Sequence, residues 1–146
     1  MSDSEKRSKK IEERKRQREA ALGFVFESMF RDDGADEAFM DAAGARGEEI
    51  GDYTRSLVTG IEKNLTQIDS LIEANLKGWK KNRISKVSLT ILRISVYELL
   101  FVEDVPTSVS INEAVELAKT YAGEGDGAFV NGVLGGVANT LEKGDK

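Results

Sequence analysis

Cysteine and histidine are both missing from this 146-residue chain. Their absence removes disulfides, thiolate and imidazole metal ligands, and the Ser-His-Asp and Cys-His catalytic arrangements. Carboxylates and lysines remain, so catalysis would need a carboxylate-only or lysine-based design. The expectation is a protein that is not an enzyme and holds no cofactor and no metal. A chain without thiols fits a reducing compartment, and a cytoplasmic location is expected. Long apolar runs are also absent. None approaches the roughly 18 residues that a bilayer-spanning helix needs. The charged N-terminus has no apolar segment behind it, which predicts no secretory signal and no membrane partner. There is a single proline, and no segment shows the strict alternation of a half-buried strand.

What is present suits one sizeable helical core. Apolar residues make up 40% of the chain, and the length is ordinary for one domain. The net charge is −5 and is unevenly spread. Residues 1–19 hold eight cations (Lys6, Arg7, Lys9, Lys10, Arg14, Lys15, Arg16, Arg18) against five acids (Asp3, Glu5, Glu12, Glu13, Glu19), a net +3, which leaves −8 for the rest. A basic arm on an acidic body predicts a local anion-binding end.

Residues 1–10 are polar and charged and read as disordered at first. From Ile11 to Phe30 the residues favour helix. The stretch 11–19 is almost all charged, whereas 20–30, AALGFVFESMF, is apolar nearly all round and so buried on most sides. Arg31-Asp32-Asp33-Gly34 ends this helix, with Gly34 as its C-cap. A short helix is expected around 36–43. Leu57, Ile61, Leu65, Ile68, Ile72 and Leu76 recur at helical spacing, with Gly60 as the point where one helix would give way to the next. Ile84, Val87, Ile91, Ile94, Leu92, Val96 and Leu99 give a wide apolar face, which predicts a central helix ending at Asp104-Val105-Pro106. The next helix starts between 106 and 111: Pro106 suits a first turn, while Ser110 and Glu113 have capping-box spacing. Gly123-Glu124-Gly125-Asp126-Gly127 reads as a flexible break. A last helix carries Phe129, Val130, Val133, Leu134, Val137 and Leu141. The sum is an all-α fold, a compact bundle of about six or seven helices.

Four stretches resemble the NusB transcription antitermination factor family. One is Arg14-Lys15-Arg16-Gln17-Arg18-Glu19-Ala20-Ala21-Leu22, similar to an arginine-rich opening that runs into a buried helix. Another is Trp79 to Leu100, with Leu92-Arg93 and Tyr97-Glu98-Leu99. The third is Val105-Pro106 followed by Ile111-Asn112-Glu113-Ala114-Val115-Glu116-Leu117-Ala118-Lys119. The fourth is Phe129-Val130-Asn131-Gly132-Val133-Leu134. The last three stand in the family's order and spacing, whereas residues 31–56 match nothing specific. The resemblance implies a NusB-like all-α fold of about seven helices. It also implies binding to boxA RNA of ribosomal RNA leader transcripts together with the ribosomal protein NusE, so that RNA polymerase resists termination in an antitermination complex. A flexible basic arm over residues 1–10 and a single helical domain over residues 11–146 are expected.

Each candidate residue has a functional and a plainer explanation. Arg14, Lys15, Arg16 and Arg18 can neutralise phosphates and stack on bases, with salt-dependent affinity; helical spacing puts 7, 10 and 14, and 14 and 18, on one face. The plainer account is a solvated helix end laced with pairs such as Glu12–Arg16 and Glu5–Lys9. Phe129 can stack on an unpaired base, as the resemblance implies, or fill the core in a 129, 133, 137 row. Asp126 falls in the loop through which the family touches RNA, although Gly125-Asp126-Gly127-Ala128 is poor in side chains, and no Gly-Lys-Ser/Thr follows as a nucleotide-binding loop would require. Asn112 and Asn131 would hydrogen-bond neighbouring backbone. Gly132, Gly135 and Gly136 would let helices approach closely. Arg93 is either a structural partner of Glu98 or, with Arg83, a contact for a protein partner. Trp79, Lys80 and Lys81 form a contact patch or a lid on the core.

Three functions follow in order. The first is an RNA-binding antitermination adaptor. The second is a helical interaction or dimerisation module without an RNA role, in which a homodimer hides the basic arm. The third is the helical front of an rRNA cytosine methyltransferase, which this chain does not fit because it has no cysteine nucleophile and no catalytic domain within its 146 residues.

Overall fold

Ser2 and Glu5 have the spacing of a capping box, and they start the first helix. The computed structural model describes residues 2–30, 50–78 and 84–144. In it, α1 spans Asp3–Ser28, 26 residues, with Ser2 as N-cap. The Ser2 hydroxyl oxygen accepts from the Glu5 N–H at 3.2 Å and donates to the Glu5 carboxylate at 3.0 Å. Asp3 and Glu5 place negative charge in the first turn, where the helix dipole favours it. Helix therefore begins eight residues before the onset expected at Ile11. Its second half changes character as the sequence predicts: Ala21, Leu22, Phe24 and Val25 are all buried.

By its contacts the chain divides into two compact units, Met1–Glu62 and Lys63–Lys146. The first contains α1 and α2, which spans Asp52–Lys63. In α2 the residues Thr54, Leu57, Val58 and Ile61 form one buried stripe at helical spacing. Gly60 lies inside α2 and is buried, so the expected break does not occur there. It falls at Asn64 instead, between α2 and α3 (Leu65–Ala74). The expected C-cap at Gly34, the helix around 36–43 and the segment Trp79–Arg83 lie outside the described residues.

The second unit is built on α3, α4 (Lys86–Phe101), α5 (Thr107–Tyr121) and α6 (Glu124–Gly144). Ser85 caps α4, its hydroxyl accepting from the Ser88 N–H at 3.0 Å. The central position expected for α4 is observed. It packs against α3, α5 and α6, and Thr90, Ile91, Leu92, Ile94, Ser95, Val96 and Glu98 are buried around its circumference. Each large aliphatic side chain buried there contributes about 1.5–3 kcal/mol.

The start of α5 resolves the competing signals. Pro106 occupies the cap position with extended backbone, and its carbonyl accepts from the N–H groups of Val109 and Ser110 at 3.0 and 3.1 Å. Ser110 is no cap. Its hydroxyl lies inside, 2.8 Å from a Glu98 carboxyl oxygen and 2.9 Å from the Ser95 hydroxyl. The expected glycine-rich break shrinks to Ala122-Gly123. Gly123 adopts φ +146°, where a side chain would be strained, and α6 starts at once at Glu124. Within α6, close approach occurs at two glycines. A Cβ on Gly127 would lie 3.2 Å from Lys119 Cγ on α5, and one on Gly136 would run into the Asn75 side chain. Gly132 and Gly135 face open space instead. Six helices and no strand occur among the described residues, which bears out the all-α class.

Candidate nucleic-acid interface

At 100° per residue, Arg7, Arg14 and Arg18 share a face of α1, while Lys15 and Arg16 lie about 100° and about 160° round from Arg14. The structure gives these faces different surroundings. Arg14 is half-buried and places its guanidinium carbon 4.2 Å from the centroid of the Tyr53 ring. Arg18 lies one turn on, 5.9 Å from the same centroid, and is only 4% exposed. The outward cluster expected of the four cations is therefore divided. Lys15 and Arg16 are exposed, Arg14 is partly so, and Arg18 is covered.

Arg16 pairs with Glu13 through a hydrogen bond, and both side chains remain more than half exposed. The partner expected from spacing was Glu12. Hydrogen bonding and charge from Arg16 hold the Glu13 carboxyl below the usual carboxylate range, and Glu13 raises the Arg16 guanidinium in turn. Such an exposed pair opens at little cost when a phosphate competes for the guanidinium.

Tyr53 and Gln17 are functional candidates that sequence reasoning missed. The Gln17 carboxamide oxygen accepts from the Tyr53 and Thr54 N–H groups at 2.9 and 3.1 Å. The Thr54 hydroxyl donates to the Gln17 backbone carbonyl at 2.9 Å. The residue preceding α2 is Gly51, which has no side chain to cap the helix. Gln17 therefore supplies the cap from α1. A Cβ on Gly51 would run into that carboxamide. The only forewarning in sequence was a Tyr two residues after a Gly, in a stretch that offered no recognisable motif.

The other candidates lie in the second unit. Asp126 is the third residue of α6 and is half-buried. Its N–H donates to the Gly123 carbonyl at 3.2 Å, and its carboxylate sits in the first turn, where the dipole favours an acid. Phe129 is half-exposed, whereas Val130, Val133, Leu134 and Val137 are at most 3% exposed. The buried row therefore passes beside Phe129 and leaves some of its ring at the surface. Arg93 does not pair with Glu98. It forms a two-point bridge to Asp69 on α3, at 2.9 and 2.8 Å, with 12% of its side chain exposed. Arg83 lies outside the described residues. Asn112 and Asn131 are both exposed. Among the described residues no group of acids could hold a metal ion, and no helix is long and apolar enough to cross a membrane.

Residues 15–139 match the model of the NusB family. The transcription antitermination protein NusB of Clostridium botulinum (strain Loch Maree / Type A3) is 42% identical over 136 residues, covering 84% of this chain and 96% of that protein. Among solved structures, T. maritima NusB superposes with a TM-score of 0.77 at 35% identity, over 91% of this chain and 97% of that one. A structure of the antitermination factors NusB and NusE in complex with dsRNA gives a TM-score of 0.75 at 29% identity, over 87% and 96%.

Proposed function

The chain belongs to the NusB family, and on that premise we propose that it is an RNA-binding transcription antitermination factor. It binds the boxA element of rRNA leader transcripts together with the ribosomal protein NusE and acts in the cytoplasm within an RNA polymerase antitermination complex. It performs no catalysis. The observation that carries this reading is the character of α1, whose charged N-terminal portion presents Lys15 and Arg16 to solvent beyond Lys6, Arg7, Lys9 and Lys10. A similar fold occurs in the structure described as NusB and NusE with dsRNA.

The side chains divide the work by chemistry. Lys15 and Arg16 neutralise phosphates and release counterions. Arg14 adds a guanidinium whose contact with Tyr53 engages its charge and planar face rather than its N–H donors. Arg18, being covered, supports the site as a second cation beside the Tyr53 ring. The surface portion of the Phe129 ring stacks on an unpaired base. The Asp126 carboxylate can only accept, so it selects base N–H groups over phosphate. Arg93 serves the protein partner indirectly, through the α3–α4 surface that its bridge to Asp69 holds together.

Fluorescence anisotropy with boxA and scrambled RNA, with and without NusE, tests the reading. Wild type binds boxA more tightly, and NusE tightens it further. Replacing Lys15 and Arg16 by Ala lowers the slope of log K against log salt by about one for each phosphate no longer neutralised. An unchanged affinity and slope, or a stable dimer indifferent to RNA, refutes the assignment.

A further inference from the structure

We infer that Tyr53 and Gln17 are positioning residues for RNA binding: the Tyr53 ring holds the Arg14 guanidinium in place, and Gln17 fixes the backbone that carries the ring. This inference rests on the RNA-binding reading above and adds two residues to it, neither of which touches RNA.

The geometry is a short relay confined to α1 and the first turn of α2. Gln17 accepts from the N–H of Tyr53 itself, at 2.9 Å, so the residue bearing the ring is held by the helix that bears the arginine. Thr54 returns a hydrogen bond to the Gln17 carbonyl and fixes the rotation of the two helices at this point. Gly51 leaves room for the carboxamide to reach across. Arg14 then lies over the ring at 4.2 Å, with Arg18 one turn on. An arginine on a solvated helix samples many rotamers, and a ligand that immobilises it works against that entropy. A guanidinium already resting on an aromatic face has surrendered much of that freedom before RNA arrives.

The same geometry explains why Arg14 and Lys15 are not interchangeable. The ammonium of exposed Lys15 can follow a phosphate as a point charge. The Arg14 plane is presented at a set place and orientation, which suits a two-point contact with one phosphate or a stack against a base.

A double-mutant cycle tests this, using anisotropy with boxA RNA and NusE. Tyr53→Leu should weaken binding about two- to tenfold, and Tyr53→Phe, which keeps the ring, should match wild type. In an Arg14→Ala background, Tyr53→Leu should have no further effect. A general structural role for Tyr53 would instead give losses that multiply. Thermal unfolding of each variant reports whether it is folded. As a measurement that needs no substitution, NMR of the RNA-free wild type should show the Arg14 side chain shifted upfield by the ring.

Unshifted Arg14 resonances, multiplicative losses, or a Tyr53→Leu variant that binds normally while Arg14→Ala does not, would each overturn the inference and leave the RNA reading standing. Unchanged binding in Arg14→Ala alone, with Lys15→Ala and Arg16→Ala impaired, would do the same. If none of these variants affects binding, the RNA reading fails and the inference fails with it.

Discussion

Truncating Gln17 to Ala would remove the cap of a helix that contributes no cap of its own. Two partly buried N–H groups, of Tyr53 and Thr54, lose their acceptor, while the Thr54 hydroxyl keeps its bond to the residue 17 carbonyl. Loss of a cap costs about 1 kcal/mol, and a second unpaired N–H adds about 1 kcal/mol more. The sum is about 2 kcal/mol, a fall of about 1 M in the urea midpoint at a slope of about 2 kcal/mol per M. The structure also names the rescue. A Cβ on Gly51 runs into the Gln17 carboxamide, so Gly51→Ser in wild type displaces one cap as it installs another and should cost at most about 1 kcal/mol. Once Gln17 is Ala the space is vacant, and the serine hydroxyl can cap α2 locally. The double variant should therefore recover about 1 kcal/mol over Gln17→Ala alone. Urea unfolding followed by circular dichroism measures all three. An unchanged midpoint in Gln17→Ala, or a double variant as weak as the two losses added, would show that Gln17 is not the cap.

Other expectations follow from individual contacts. Glu13→Gln releases Arg16 and should raise RNA affinity about two- to threefold at low salt, an effect that fades as salt screens the site. Because Arg16 lowers the Glu13 carboxyl, the pair's small contribution to α1 is complete above the ordinary carboxylate range. It is lost as pH falls through the lowered value, and α1 helicity in an acid titration reports it. Ser110→Ala takes a donor from Glu98 and a partner from Ser95; it should cost about 2 kcal/mol in urea unfolding with an unchanged slope, less about 0.5 for the better helix former. Asp69→Asn leaves a mostly covered guanidinium without its anion, and a loss of about 2–3 kcal/mol is expected by the same measurement.

The sequence carried the repeating pattern and the helix class well, because buried stripes at helical spacing are local signals. Leu57, Ile61, Ile68 and Ile72 all prove buried, as does the face of α4. Ends and partners were harder. The Ser2–Glu5 cap was present in the sequence, but a dense run of charge around it suggested disorder. Ser110 and Glu113 have the same spacing and yet lie inside α5, where Ser110 answers a buried carboxyl on α4 that no local window reveals. Glycine content misled in both directions: Gly60 and Gly125 sit within helices, while Asn64 makes the break. At the candidate interface, charge counting marked four cations alike. The structure separates them: Arg18 is covered, with the ring of Tyr53 from far along the chain beside it, while Lys15 and Arg16 on other faces of α1 are exposed. Arg93 likewise found Asp69, 24 positions away, rather than a neighbour on its own helix.

The hydroxyls of Ser95 and Ser110 with the Glu98 carboxyl also act as a lock on the register between α4 and α5. Apolar side chains alone would tolerate sliding, since one aliphatic notch resembles the next. Shift α5 by one turn so that Ala114 meets Glu98, and the carboxyl is sealed from water with a methyl group opposite it, at about 1–3 kcal/mol. During folding, a misaligned pair of helices would thus be rejected by three polar side chains toward the connected end of an otherwise greasy seam.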